Sequence, residues 1–205
     1  MLAEIIMYHL FESCESEIEV KKSRFICILL PITSETEVKE RIAGIKKQYP
    51  SATHYCYGFI TGNVLRSNDD GEPSGTAGMP ILNALRQKQL DNVLAVVVRY
   101  FGGTLLGTAG LLKAYQQATL QTISQARLTV PKEVGIYTVS VPYEFTNKIE
   151  MLLGQKAQIL NRAYDQQATY LYQSEDDLSE DIQILTSGRY AATYLRTEIR
   201  EIPVN

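Results

Sequence analysis

A chain of 205 residues, 45% hydrophobic and 21% charged with a formal net charge of -3, has the composition of a globular protein with one large domain or two small ones. That balance excludes a long disordered tail and a broadly basic surface, so any nucleic-acid footprint has to be local. Cys14, Cys27 and Cys56 are odd in number and lack C-x-x-C spacing. This excludes a disulfide framework and a zinc ribbon, and predicts reduced thiols with Cys27 buried.

The lead MLAEIIMYHLFES carries Glu4 where a signal peptide has a basic n-region, and it has no long apolar h-region. No apolar segment reaches the ~18 to 20 residues of a membrane span. A cytoplasmic protein with no membrane partner is expected.

Ser16 to Lys21 and Phe25 to Leu30 read as strands joined by the basic turn Lys22, Ser23, Arg24. Ser34 and Glu37 form a capping box ahead of a helix whose Val38, Ile42 and Ile45 share a stripe before Pro50. Thr53 to Thr61 is a strand with Tyr55, Tyr57 and Phe59 on one face and His54, Cys56 and Gly58 on the other.

Asn63 to Pro80 reads as one long polar connection, with a helix beginning near Ala77 that tolerates Pro80 in its first turn. Val93 to Val98 is a continuous apolar run, hence a buried strand, ending at Arg99. Thr108 then caps a long helix in which Leu112, Tyr115, Thr119, Thr122 and Ile123 recur at helical spacing and Leu111 broadens the apolar face.

Leu128 to Val134 reads as a linker. After it, Ile136 to Val141, Glu144 to Gln155, Gln158 to Tyr164, Ala168 to Tyr172, Ser174 to Thr186 with Ser174 as N-cap, and Tyr190 to Ile202 give the order βαββαβ of a ferredoxin-like unit. The fold class is α+β.

Two glycine-rich segments precede helices: Asp69 to Gly78, DDGEPSGTAG, and Arg99 to Gly107, RYFGGTLLG. Each can present backbone N–H groups and a positive helix end to a phosphate or carboxylate; the plain alternative is that the glycines make turns. Neither has the Lys-Ser or Lys-Thr of a Walker loop. Asp69, Asp70 and Glu72 suit a hard cation, acid/base chemistry or a structural pairing with Arg99 that would tie the segments together.

Ser74 lacks the G-x-S-x-G context of a nucleophile and reads as a loop hydrogen-bonder. His54 and Cys56 share a strand face, but no orienting acid is placed beside them. Lys113, one and a half turns into its helix, is placed to reach back toward an anion beside Arg99. Tyr55 and Tyr57 read as core residues in preference to base-stacking ones.

The combination of KKSRFI at 21 to 26, A-x-H-x-C at 52 to 56, DDGEPSGTAG, VVVRYFGG, LLGTAGLLKAY and the βαββαβ tail resembles the YigZ/IMPACT family over nearly the whole chain. The resemblance implies an N-terminal α/β domain at 1–130, similar to the second domain of a small-subunit ribosomal protein and also seen in elongation factor G. It implies a ferredoxin-like domain at 131–205, similar to the C-terminal domain of that factor. Eukaryotic relatives resemble regulators of translation. Two departures stand out: Tyr55 lies where some relatives have a second His, and Lys113 keeps a charge where many carry Arg, losing bidentate geometry.

The resulting expectation is a cytoplasmic, translation-associated regulatory binding protein contacting RNA, ribosome or a translation factor. Its contact residues are Asp69, Asp70, Gly71, Glu72, Ser74, Arg99, Tyr100, Phe101, Gly102, Gly103 and Lys113, with His54 as an additional candidate. The alternative is an enzyme or sensor for a phosphorylated or carboxylated small molecule at the same loops. A third reading uses the tyrosine-rich C-terminal sheet as a protein-binding face, the chain holding 13 tyrosines. No cofactor or metal is expected, and no catalytic residue is assigned.

Overall fold

The computed structural model describes residues 7 to 204, so the reading of the N-terminal lead lies partly outside the described residues. The chain divides into two compact units, Met1–Pro131 with Glu201–Asn205, and Lys132–Arg200. Both mix helix and strand.

The first unit runs β1 (His9–Leu10), β2 (Cys14–Val20), β3 (Ser23–Pro31), α1 (Val38–Gln48), β4 (His54–Thr61), β5 (Val64–Asn68), α2 (Gly78–Gln87), β6 (Val93–Tyr100) and α3 (Gly107–Gln125). Its main sheet has the order β2-β3-β6-β4-β5, with every neighbouring pair antiparallel. The central strand β6 is buried from Val93 through Arg99 because both faces are covered. On one face Phe25, Cys27, Cys56, Ala95 and Val97 meet Ile81, Leu85, Leu111 and Tyr115 of α2 and α3. On the other, Ile26, Ile28, Phe59, Leu94, Val96 and Val98 meet Val38 and Ile45 of α1. Each fully buried side chain of this size contributes about 1.5 to 3 kcal/mol, which explains why the run is unbroken by polar residues.

Register fixes the functional end of the sheet. Phe25 pairs with Arg99 and Arg99 with His54, so these three residues form one row across β3, β6 and β4. Paired side chains on one face lie within reach of each other.

Several expectations are corrected. Val64–Asn68 is a strand, turned back onto β4 through Gly62 at φ +55, and only the chain from Asp69 to Ala77 remains as a loop. The Ser34 hydroxyl accepts no cap bond; Glu37 instead accepts the Thr33 amide at 2.8 Å and hydroxyl at 2.7 Å around a short 3-10 turn. Thr108 is not a cap either, since α3 starts from Leu106 with no side-chain cap. Leu111 is buried where Leu112 is 41% exposed, a shift of one position in the helical phase.

Leu128 to Val134 is not a linker but the start of β7 (Leu128–Val141). There Leu128 and Thr129 pair with Leu10 and His9.

The second unit continues β7 with α4 (Thr146–Lys156), β8 (Gln158–Tyr164), β9 (Ala168–Ser174), α5 (Ser179–Leu185) and β10 (Thr193–Pro203), in the order βαββαβ. The sheet order is β8-β9-β7-β10. Val139, Phe145, Ile149, Leu153 and Ile182 form its core with Tyr137 and Tyr172, whose rings stack at 5.5 Å. Ser174 ends β9 and does not cap α5; the Asp177 carboxylate accepts the Ser179 amide at 2.9 Å instead. Tyr194 and Ile199 of β10 are exposed. Among the described residues no helix is long and apolar enough to cross a membrane.

Candidate functional site

The two glycine-rich segments meet at the end of β6. In the first, the Asp69 carboxylate accepts the amides of Gly75 at 2.8 Å, Ala77 at 3.0 Å and Gly78 at 2.8 Å. Burial raises its pKa, but these three bonds prevail and hold it below the ordinary value. The positive end of α2 is therefore met by the chain's own acid, in keeping with the structural alternative for this segment. Gly78 is required here because a Cβ would lie 2.7 Å from the Asn68 nitrogen.

Asp70 sits at φ 44 and Gly71 at φ +87, which reverses the chain and turns Glu72 inward. The Asp70 carboxylate accepts the Tyr55 amide at 2.7 Å, and its carbonyl accepts His54 Nδ1 at 2.8 Å. The three acids thus serve three separate internal contacts, which removes the shared cation site. Among the described residues no group of three or more His, Cys, Asp or Glu is arranged to hold a metal.

Glu72 is 8% exposed and Arg99 5%. Arg99 Nη1 donates to Glu72 Oε1 at 2.5 Å, and the Tyr115 hydroxyl donates to the same oxygen at 2.7 Å. The guanidinium lies over the rings of Phe25 and Phe101, at 5.4 and 5.6 Å. Its Nε is buried and has no hydrogen-bond partner among the described residues. Because the Asp70 carbonyl can only accept, His54 Nδ1 is the donor in that bond, and Nε2 lies 3.9 Å from Glu72 Oε2.

His54 and Cys56 do not form a dyad. The Cys56 thiol donates to the Asp69 carbonyl at 3.0 Å and the Tyr115 hydroxyl at 3.3 Å, and burial pushes it up to about 12. Burial likewise drives the Tyr115 phenol well above its ordinary value, so it remains a protonated donor. Cys27 is also pushed up to about 12 by burial, and only Cys14 is less than fully buried. A disulfide-exchange reagent at neutral pH is therefore expected to titrate no more than one of the 3 cysteines in the native protein and all of them after denaturation. Rapid native labelling of Cys56 would contradict the hydrogen-bonded thiol.

His54, Glu72 and Arg99 help to line a cleft of about 410 Å3. Pro73, Phe101, Leu105, Leu106 and Leu111 are its apolar walls; Thr53, Gly107 and Thr108 complete it. Phe101 is 46% exposed, and its amide donates to Thr53 Oγ1 at 3.1 Å.

Gly102 locks the cleft to the turn between β2 and β3. Its amide donates to Ser23 Oγ at 3.1 Å, and a Cβ would stand 2.0 Å from the Lys22 carbonyl carbon. Lys21 and Lys22, both exposed and left-handed at φ 48 and 65, form that turn. Arg24 pairs with Glu17 at 2.7 Å and lies over the Tyr100 ring at 5.5 Å.

Of the expected residues, Glu72, Arg99, Phe101 and His54 converge on the cleft, while Asp69, Asp70, Gly71, Gly102 and Gly103 shape the segments around it. Tyr100 turns away, its hydroxyl donating to the Pro50 carbonyl at 3.2 Å. Ser74 is exposed and makes no side-chain hydrogen bond among the described residues, so it is not the loop hydrogen-bonder expected. Lys113 lies outside the cleft, exposed beside Gln116 and Gln117: two residues beyond buried Leu111, it is rotated about 200° around the helix. Sequence reasoning missed Thr53, Leu105 and Leu106 as cleft residues. It placed Tyr115 on the inward stripe without its role as a donor to Glu72; the signal was a lone hydroxyl on an apolar face.

Residues 21–123 match the family described as Impact N-terminal domain, a span that contains every residue of the cleft. The chain is 36% identical over 204 residues to the IMPACT family member YvyE of Bacillus subtilis, covering 93% of this chain and 94% of that protein. It is 38% identical over 152 residues to the IMPACT family member YigZ of Escherichia coli, covering 71% and 74%. A solved structure described as a hypothetical protein is similar at a TM-score of 0.60 and 30% identity, covering 93% of this chain and 97% of that one.

Proposed function

The chain belongs to the IMPACT family, and from that membership we propose that it is a cytoplasmic, translation-associated regulatory protein that contacts RNA through the glycine-loop face of its first unit. The observation that supports this reading is the close approach of Gly102 to the Lys22 backbone, which brings the exposed Lys21–Lys22 turn up to the segment that carries half-exposed Phe101. Cations that meet phosphates next to an aromatic face that meets bases are the requirements of single-strand binding. The net charge of -3 is compatible with it because the basic group is local. The reading carries with it two domain likenesses: 1–130 to the second domain of a small-subunit ribosomal protein and 131–205 to the C-terminal domain of elongation factor G. Ribosomal RNA is the natural setting for both.

Lys21→Glu with Lys22→Glu is expected to weaken single-stranded RNA binding about equally for all sequences. The slope of log affinity against log salt should flatten by about 0.7 for each phosphate that is no longer neutralised. Absence of ribosome co-sedimentation together with absence of salt-dependent RNA binding in the wild type would sink the reading.

A second reading is favoured by Arg99, a cation among the residues that line the cleft: a sensor or enzyme for a phosphorylated or carboxylated small molecule. Thermal-shift screening with such metabolites tests it, since a ligand of the native state raises the melting temperature.

A further inference from the structure

We propose that the chain forms a two-fold dimer in which β10 pairs antiparallel with β10 of a second copy, joining the sheets of the two second units edge to edge. The proposal concerns the second unit and stands apart from the RNA-contacting reading of the first.

The sheet β8-β9-β7-β10 has two unlike edges. Strand β8, of 7 residues, is interrupted by a register shift between Ile159 and Asn161, a device that blunts an edge against further pairing. Strand β10 runs for 11 residues and, among the described residues, pairs with β7 alone. Its outer row of backbone N–H and C=O groups is therefore a template for another strand. Apolar side chains stand in the open along it, Ile199 at 70% exposure and Leu195 at 45%. Covering them is favourable.

The charges on β10 choose the occupant. Arg196 Nη2 lies 2.6 Å from Glu198 Oε1, and Arg200 pairs with the same carboxylate, so these alternate residues share one face as a row of plus, minus, plus. A two-fold axis through one residue sets the residues on either side of it opposite each other in the other copy. At Thr197 the axis places Arg196 opposite Glu198 of the partner subunit, twice by symmetry. At Ile199 it places Arg200 opposite Glu198 of the partner subunit and Ile199 against its own copy. An axis at Glu198 sets that residue against itself and Arg196 against Arg200, and like charges directly opposite are destabilising. The row thus accepts a second copy in either complementary register and rejects the one between them. Because the contact uses β10 of both copies, it is isologous and closes at two, with the blunted β8 edges left at the ends. A single strand pair is a small interface, so a dissociation constant on the order of micromolar is expected.

The test is sedimentation equilibrium of the full chain from about 1 µM to about 1 mM, a range that brackets such a constant. Wild type should pass from monomer to dimer. Glu198→Arg makes the row all positive, and Arg196→Glu with Arg200→Glu makes it all negative; each variant, checked for folding by thermal melting, should dimerise roughly tenfold or more weakly by itself. An equimolar mixture of the two should associate at least as tightly as wild type, since every facing pair is then of opposite sign. Ile199→Asp, a change at an exposed side chain, should also weaken the dimer roughly tenfold. A wild-type chain that stays monomeric throughout overturns the proposal, whatever other protein it captures. A dimer indifferent to these substitutions assigns association to another surface and equally overturns it, as does a mixture that binds no better than its separate components.

Discussion

Glu72→Ala is expected to destabilise the first unit by about 3 to 5 kcal/mol, the range for removing one partner of a buried ion pair. Glu72 Oε1 accepts from both Arg99 and Tyr115, and all three residues are buried. Truncation strands a guanidinium whose Nε is already unpartnered, together with a phenol donor. Glu72→Gln keeps an acceptor of the same shape and should cost less. Glu72→Leu combined with Arg99→Met removes both charges, and it should recover much of the stability because neither desolvation penalty then remains. The chain has two units, so a single global unfolding free energy is not assured. Native-state hydrogen exchange at the β6 amides of Val96, Val97 and Val98 reads the first unit directly. A double variant less stable than Glu72→Ala would mean that the ion pair itself, and not the stranded charge, holds the loops together.

The sequence made the layers legible where burial imposes a period. The Val93 to Val98 run, the unequal faces of β4 and the inward stripes of α1 and α4 follow from burial on the faces that the sheets and helices present. It also anticipated an acid pairing with Arg99, but not which one. That choice is made by two consecutive left-handed residues, Asp70 and Gly71, and the sequence DDGE leaves the direction of each carboxylate open. Strand β5 escaped notice because an edge strand with the sequence VLRSN needs no apolar alternation. Lys113 was drawn to the site by its distance along the chain, whereas its helical phase carries it away. The cleft was invisible because its walls come from separate stretches, Pro73, Phe101 to Leu106 and Leu111, that only the sheet register and the α3 entry angle bring together.

The Asp69 carboxylate makes the second large prediction, and this one depends on pH. It organises the loop by accepting three amides, two of them, from Ala77 and Gly78, in buried residues at the start of α2. Asp69→Ala leaves those donors without partners and removes a charge from the positive end of the helix, at a cost of roughly 2 to 4 kcal/mol. The pKa of Asp69 is lowered in the folded state, against its own burial, by the Gly75, Gly78 and Ala77 amides. Between the folded and unfolded values the unfolded chain binds more protons, so stability rises with pH there. The contribution is fully present above the unfolded value, about 4, and is lost as pH falls through the lower folded value. The stability gap between wild type and Asp69→Asn should therefore be constant near neutrality and close progressively as the solution is acidified below about pH 4. Hydrogen exchange of the α2 amides across that range measures it. A gap unchanged down to the acid limit would show that the loop is held by its backbone turns and not by the ionised carboxylate. Because Asp69 and Glu72 belong to one short loop, loss of the first should also loosen the second, so that acid exposes the Arg99 cleft before β6 itself opens.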